Sequence, residues 1–265
     1  MSGIDLERYF ARIGWTGERA PTHTALSGIL YAHTRRIPFE NLDVLRARPP
    51  RLDLASLQRK LVDARRGGYC FEHATLFAAV LSALGFDPVA HAARVVLNAP
   101  RDASPRTHMF LTVAVDGDRF VVDPGFGRMA PRVPLLLAEG ARGDATHWLA
   151  RDGRHWVLRA RDNGGDVDCW VTTLERENAV DFEVANHYTA THAASPFVNR
   201  LLLRAITGDG YVAVMNRDVK HVRADGTQTS RLADRAQLRT LLNEHFGFDL
   251  ADVASLRVPS IDEWH

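Results

Sequence analysis

Three residues far apart in the chain are of the types that acyl-group chemistry by a thiol requires: Cys70, His108 and Asp123. A nucleophilic cysteine needs a base to take its proton and a third group to orient that base. His108 opens the strongest hairpin pattern in the sequence, His108 to Val115, Asp116-Gly117, then Arg119 to Asp123. If Asp116-Gly117 is a two-residue loop, Val115 faces Asp118 and Phe110 faces Asp123. Side chains alternate along a strand, so His108 and Phe110 share a face and Asp123 lies diagonal to His108 on it. A three-residue loop would put the two on opposite faces. Bland readings stand beside this one. Most free cysteines are small buried hydrophobes, the chain has twelve histidines, and Asp123 could belong to a solvated turn.

Cys70 lies in Arg65-Arg66-Gly67-Gly68-Tyr69-Cys70-Phe71-Glu72-His73-Ala74. Beyond it, Leu76, Phe77, Val80, Leu81 and Leu84 recur at helical spacing, and Gly85 is placed to stop the helix. The spacing predicts a largely buried helix that begins at or near Cys70. Unpaired N–H groups and the helix dipole at that end favour a thiolate, as do the two arginines. The glycine pair allows another backbone or a ligand to come close. Before it, amphipathic helices are expected over residues 5–13, 21–35 and 55–64, with an irregular segment from Phe39 to Asp43. The first 86 residues therefore read as a helical bundle.

Past Gly85 the apolar period changes from helical to alternating. Strands are expected at 89–97, 108–115, 119–123, 132–137, 146–150, 155–160 and 169–174. Their short, even spacing suggests an antiparallel barrel or curled sheet. A helix over 178–191, strands at 201–206, 211–216 and 219–223, and a helix over 234–246 complete the chain. The fold class is α+β: an N-terminal helical bundle (1–86) carrying the cysteine, a central antiparallel β-barrel (87–193) carrying the histidine and aspartate, and a C-terminal α/β lid (194–265).

The 265 residues carry a formal net charge of +1, with 46% hydrophobic and 25% charged residues. No basic block points to nucleic acid, and no apolar run approaches the ~20 residues of a membrane span. Two cysteines, Cys70 and Cys169, make no disulfide scaffold and suit a reducing cytoplasm. Cys169, beside Trp170 in a strand, reads as core. Cys70, His73 and His108 fit no common zinc spacing, so no metal is expected. His187 and His192 read as helix-surface residues.

Arg66 to His73, with Pro38-Phe39-Glu40-Asn41-Leu42-Asp43 before it, resembles the arylamine N-acetyltransferase family. So do Pro105-Arg106-Thr107-His108-Met109 and Val122-Asp123-Pro124-Gly125-Phe126-Gly127, in the same order. Asp181-Phe182, Asn186, Tyr188 and Ser195-Pro196-Phe197 extend the match. The resemblance implies the same three-part fold with a cysteine-protease-like core. It also implies that Cys70 takes up the acetyl group, His108 is its ion-pair and proton partner, and Asp123 orients His108. Phe39, Tyr69 and Phe126 fall where the family lines its arylamine pocket, and Ser195 near where some members touch coenzyme A. Ala74 stands where members often carry asparagine, and Arg128 where bacterial members commonly carry glycine. The approach to His108, Ser104 to Thr107, lacks a glycine that some members have beside the pyrophosphate.

The expected function is acetyl-CoA-dependent N-acetylation of arylamines or hydrazines by a ping-pong mechanism, with no metal. A homodimer is compatible with the sequence. Rival readings are an amide synthase of the same family acting on a polyketide chain, a papain- or transglutaminase-like cysteine hydrolase, and a non-catalytic binding protein on the same scaffold. At mildly acidic pH a thiol-specific reagent should modify Cys70 far faster than Cys169. Equal rates at the two, read by mass spectrometry of the peptides, would sink the nucleophile assignment.

Overall fold

The structure is a computed structural model that describes residues 3–162, 165–262 and 264. The chain opens with α1 (Leu6–Ile13) and α2 (His23–Arg36), each started by a side-chain cap, Asp5 on the Arg8 N–H and Thr22 on the Ala25 N–H. A two-residue strand, β1 (Phe39–Glu40), precedes α3 (Leu42–Leu45) and α4 (Leu54–Leu57), which runs on as a π-helical stretch over Gln58–Asp63. Next comes α5 (Cys70–Ala83), whose first residue is Cys70. Gly85 follows at φ +88, the left-handed geometry expected of a helix stop.

Seven strands make the central sheet: β2 (Pro88–Val95), β3 (His108–Val115), β4 (Asp118–Val122), β5 (Leu135–Leu136), β6 (His147–Asp152), β7 (His155–Asp162) and β8 (Gly165–Thr172). Their order is β5-β4-β3-β2-β8-β7-β6, with every neighbour antiparallel. The segment after β5 nearly closes this sheet. Leu137 donates to the Arg119 carbonyl (2.7 Å) beside β5, and Gly140 to that of Leu149 (2.9 Å) on β6. The interior is filled by Ala93, Phe110, Val121, Leu149, Leu158 and Trp170, among others.

After α6 (Ala179–Thr191) and α7 (Pro196–Asn199) come β9 (Leu202–Ile206), β10 (Gly210–Met215), β11 (Asp218–Arg223) and β12 (Gly226–Arg231). They form an antiparallel sheet whose far edge is completed by β1, in the order β1-β9-β10-β11-β12. Packed on it is α8 (Arg235–Leu241), continuing as a π-helical stretch over Leu242–Phe246. The architecture is thus the expected α+β combination of helices, a barrel-like sheet and an α/β tail.

Several details differ from the sequence reading. Phe39–Glu40 is a strand, because β9 supplies it with partners from across the chain. The final strand was not expected: every residue of Gly226–Arg231 is exposed, so the segment carries no apolar alternation. Residues 132–137 contribute only Leu135–Leu136.

Under the turn before α5 lies a cluster of buried charges. Lys60 Nζ sits 2.7 Å from Glu72 and 2.8 Å from Asp43, and Arg66 reaches Glu40 at 2.6 Å and Asp43 at 2.8 Å. Burial works against the charge on Lys60, but Glu40, Glu72 and Asp43 outweigh it and raise its pKa. Asp43 is likewise held down at about 2 against its burial, by Lys60 and Arg66. Arg46 also reaches Asp43 at 3.4 Å, and fully buried Glu72 is pushed up to about 7 by burial, opposed by Lys60. Removing one member of such a cluster leaves an uncompensated charge in the interior. Lys60→Met should therefore lower the urea-extrapolated stability by about 3–5 kcal/mol. A loss below about 1 kcal/mol would instead be the value of an ordinary surface pair.

Candidate active site

The two-residue turn at Asp116-Gly117, with φ +53 and +88, sets the register of the hairpin. Val115 pairs with Asp118 and Leu111 with Val122, which carries Asp123 to the face of His108. His108 Nε2 donates to Asp123 Oδ2 at 2.8 Å, with both side chains buried. The Cys70 side chain also acts on His108, favouring its charged form. Since Nε2 is used by Asp123, Nδ1 is the nitrogen left for the sulfur. Burial alone would lower the pKa of His108. The Asp123 charge, the bond to Asp123 and the Cys70 side chain outweigh that and raise it to about 10. At neutral pH the ring is therefore an imidazolium.

The backbone brings Cys70 to this pair by close packing. A Cβ on Gly125 would lie 2.7 Å from Cys70 Cα, so only glycine lets the Asp123–Gly127 loop rest on the start of α5. A Cβ on Gly67 would fall 2.0 Å from the Pro38 carbonyl oxygen. That contact seats the turn before Cys70 against β1.

Asp123 has a further partner that sequence reasoning missed. Trp170, fully buried, donates its indole N–H to Asp123 Oδ2 at 3.0 Å, and the Gly125 N–H approaches Oδ1 at 3.3 Å. Residues paired across strands share a face. His108 pairs with Ala93, and Val95, two positions on, pairs with Trp170. The small Ala93 leaves room for the indole to reach across. The signal in the sequence was weak: a tryptophan in a core strand must find an acceptor for its N–H.

Behind Cys70, a second set of bonds has a fixed direction. His73 Nε2 faces the carbonyls of Pro38 (3.2 Å) and Gly68 (3.1 Å), which only accept, so Nε2 carries a proton. Burial pushes the His73 pKa down to about 4, so the ring is neutral and its Nδ1 accepts from His33 Nε2 (2.8 Å). His33, also kept neutral by burial, accepts from the Tyr9 hydroxyl at Nδ1 (2.8 Å).

The remaining expected residues surround this centre unequally. Phe126 lies with its ring centroid 4.7 Å from that of His108, and half-buried Phe39 lines a neighbouring cleft. Tyr69 is fully buried, bonds Asn186 through its hydroxyl, and meets the Phe197 ring edge-on at 5.4 Å. Ser195 is buried too. Its hydroxyl donates to the Thr189 carbonyl (2.6 Å) and accepts from the Phe197 N–H (3.2 Å) at the start of α7. Cys169 is buried in the barrel, and burial, with Asp123 nearby, pushes it up to about 12. His187 and His192 are exposed. Among the described residues no group of His, Cys, Asp or Glu is arranged to hold a metal ion.

The sequence profile of a family described as N-acetyltransferase matches residues 22–255. The chain is 40% identical to an arylamine N-acetyltransferase of Mycobacterium tuberculosis, covering 94% of this chain and 91% of that protein. Against an Escherichia coli arylamine N-acetyltransferase the identity is 34%, covering 93% and 90%. The solved arylamine N-acetyltransferase of Mycobacterium smegmatis superposes with a TM-score of 0.90 at 35% identity, covering 98% of this chain and all (100%) of that one. That of Mycobacterium marinum in complex with CoA gives 0.88 at 36%, with 94% of each covered. The chain belongs to the arylamine N-acetyltransferase family. It is an enzyme of an acyltransferase class, and its fold is the one that the family shares. Where the sequence departs from its family, Ala74 is fully buried on α5, and Arg128 is paired with Asp162 at 2.7 Å.

The raised pKa of His108 makes a signed prediction about stability. The folded protein keeps a proton that the unfolded chain releases near 6.5, so the contribution is full below 6.5 and disappears as pH rises through about 10. In a Cys70→Ala background, where ionisation of the thiol cannot offset it, the stability of the parent minus that of its His108→Gln derivative, from urea unfolding across pH, should therefore shrink steadily over that window. A difference that is flat or grows with pH would contradict the imidazolium assignment.

Proposed function

We propose that the protein transfers an acetyl group from acetyl-CoA to aromatic amines or hydrazines through a thioester on Cys70. The observation that carries this reading is the His108–Asp123 hydrogen bond next to Cys70, found in a chain whose relatives are named arylamine N-acetyltransferases, one of them solved with CoA. The Cys70 thiolate attacks the acetyl carbonyl carbon, a new C–S bond forms, and the bond to coenzyme A sulfur breaks. His108 supplies the proton that the departing thiolate takes. The amine nitrogen then attacks the same carbonyl carbon and gives its proton to His108, and Cys70 leaves as the thiolate. Asp123 stabilises the imidazolium form of His108 present before the first step and restored by the second, and holds its ring in one orientation.

Phe39 and Phe126 are the aromatic surfaces offered to the amine. Tyr69 supports them from behind through Phe197. Ser195 has its hydroxyl committed to the chain, so its part in coenzyme A binding lies in anchoring α7 and not in a direct hydrogen bond. The division of labour follows the chain: 1–86 bring the nucleophile, 87–193 the histidine and aspartate, and 194–265 the lid. The cytoplasm suits this chemistry, since it keeps both free cysteines reduced.

One site that holds the acetyl group while coenzyme A leaves gives parallel initial-rate lines. Mixing enzyme with acetyl-CoA alone should add one acetyl group to the Cys70 peptide. Cys70→Ser should abolish turnover, and Asp123→Asn should lower it by about 10⁴ with the fold intact, by analogy with the serine-protease triad. Intersecting lines with no acetyl-enzyme in the mass spectrum would mean direct transfer between two bound substrates.

A further inference from the structure

Among the described residues, one long strand edge is left open. The barrel-like sheet is nearly closed by the segment after β5, which bridges to β6 at Trp148. In the second sheet the outer side of β1 is bridged to the turn before Cys70, Phe39 to Gly68. The far end of that sheet is β12, with β11 on one side and no strand on the other. All six residues of Gly226–Arg231 are exposed, so no described helix or loop overhangs the strand. It also lacks the usual guards of an edge. Its register with β11 runs unbroken from Arg223 opposite Gly226 to Asp218 opposite Arg231, it contains no proline, and Thr227 to Ser230 carry no charge.

The neighbouring turns fix which backbone groups this edge offers. Residues flanking a two-residue turn bond each other, so Gly226 bonds Arg223 across Ala224-Asp225, and alternation turns the backbone groups of Gln228 and Ser230 to β11 as well. The hairpin on the other side of β11 agrees. Met215 and Asp218 flank its turn, so Asp218, Lys220 and Val222 bond β10 and leave Val219, His221 and Arg223 for β12. The backbone groups of Thr227, Thr229 and Arg231 therefore point to the open edge.

A second copy of the chain can bond them only in a register that sets one outward residue opposite another. Two such registers use the length of the strand. One is centred on Thr229 and leaves Asp225 unmatched. The other is centred on Gln228, sets Asp225 opposite the partner's Arg231 at both ends of the contact, and sets Thr227 opposite the partner's Thr229 between them. Among the described residues neither Asp225 nor Arg231 has an ion pair within its own chain. At strand spacing they lie ~20 Å apart, too far to neutralise each other. Opposite charges and paired threonines are both favourable across strands.

We propose that β12 is a self-association edge, at which two copies of the chain join antiparallel about a two-fold axis at Gln228 and merge their sheets into one. The contact is isologous, each copy giving the other the same surface. Because β12 and β1 are opposite edges of the sheet, Phe39 and the turn before Cys70 lie away from the contact and both sites stay open. The surface is small, so the association is weak, with a dissociation constant on the order of 10–100 µM.

Sedimentation equilibrium over a concentration series should show the wild type passing from monomer to dimer in that range. Asp225→Arg puts arginine opposite arginine at both ends, and Arg231→Asp puts aspartate opposite aspartate. Each alone should raise the dissociation constant by about tenfold or more. An equimolar mixture of the two should dimerise again, since every end contact is then arginine to aspartate, and so should the double variant. Both positions are exposed, and an unchanged Tm in dilute solution shows that the variants fold. The register is read separately by cross-linking. Opposite residues of a non-hydrogen-bonded pair lie ~4.5 Å apart at Cα, within the span of a disulfide. Gln228→Cys should therefore oxidise to a linked dimer, identified by mass spectrometry of the joined peptides, whereas Thr229→Cys should not. A wild type that is monomeric throughout the series overturns the proposal. So does a dimer that neither charge reversal weakens, which puts the interface elsewhere, or cross-linking at Thr229→Cys in preference to Gln228→Cys, which excludes the charge-matched register.

Discussion

Gly67 and Pro38 lie so close that no side chain fits between them, and much of the site follows from that contact. It is held by paired backbone bonds, Gly68 N–H to the Pro38 carbonyl (3.2 Å) and Glu40 N–H to the Gly68 carbonyl (2.9 Å). The turn therefore ends at a fixed point, and α5 begins there with Cys70. The same approach brings Glu40 and Asp43 onto Lys60, Arg66 and Glu72, so the buried charges tie the turn to α4 and its π-helical extension. It also aims two carbonyls at His73, which fixes the proton on Nε2 and thereby the direction of every bond back to Tyr9. Neutral histidines suit that place. A cation there would have carbonyls to receive one N–H but nothing to receive the other.

The two cysteines of the molecule are both buried but have different neighbours. Cys169 lies among Phe110, Trp170 and Leu158 with the Asp123 carboxylate nearby, so ionisation is opposed by desolvation and by like charge. Cys70 is almost as buried, but His108 faces it, charged because Asp123 faces His108 in turn. One carboxylate thus discourages the Cys169 thiolate directly and keeps an imidazolium in front of Cys70. Trp170 adds an N–H to the shared carboxylate oxygen, so Oδ2 is held from two sides. Asp123 is oriented by the barrel core as much as by its own strand.

What was legible in the sequence was local. The helix after Cys70 announces itself by Leu76, Phe77, Val80, Leu81 and Leu84, and Asp116-Gly117 sets a register that carries Asp123 to His108. Phe39–Glu40 is a strand only because residues 203 and 204 lie opposite it, and two residues carry no period. The Trp170–Asp123 bond spans 47 positions and depends on Ala93 being small in a strand between them. Ser195 was placed by its motif, but only packing shows that its hydroxyl is already used by Thr189 and Phe197.

The nucleophile and its partners belong to differently built bodies, and that division decides how the site must be held. Cys70 rides on α5 in a core made mainly of helix residues, whereas Phe110, Val121 and Trp170, around His108 and Asp123, belong to the interior of the barrel. A hydrogen bond to sulfur is too weak and too long to keep two such bodies in register, as the 3.7 Å approach of Cys70 Sγ to the Thr107 carbonyl illustrates. Registration has to come from packing, and interiors are dense enough that a contact without slack transmits position faithfully. Gly125 supplies it, resting on the Cys70 backbone while its own N–H turns to Asp123. The first core crosses the boundary too, with Met109, Leu111 and Val113 of β3 packed among the helix residues. Alternation along one strand therefore serves both sides: the odd positions of β3 bind it to α5, while even-numbered His108 and Phe110 face the barrel interior and its aspartate.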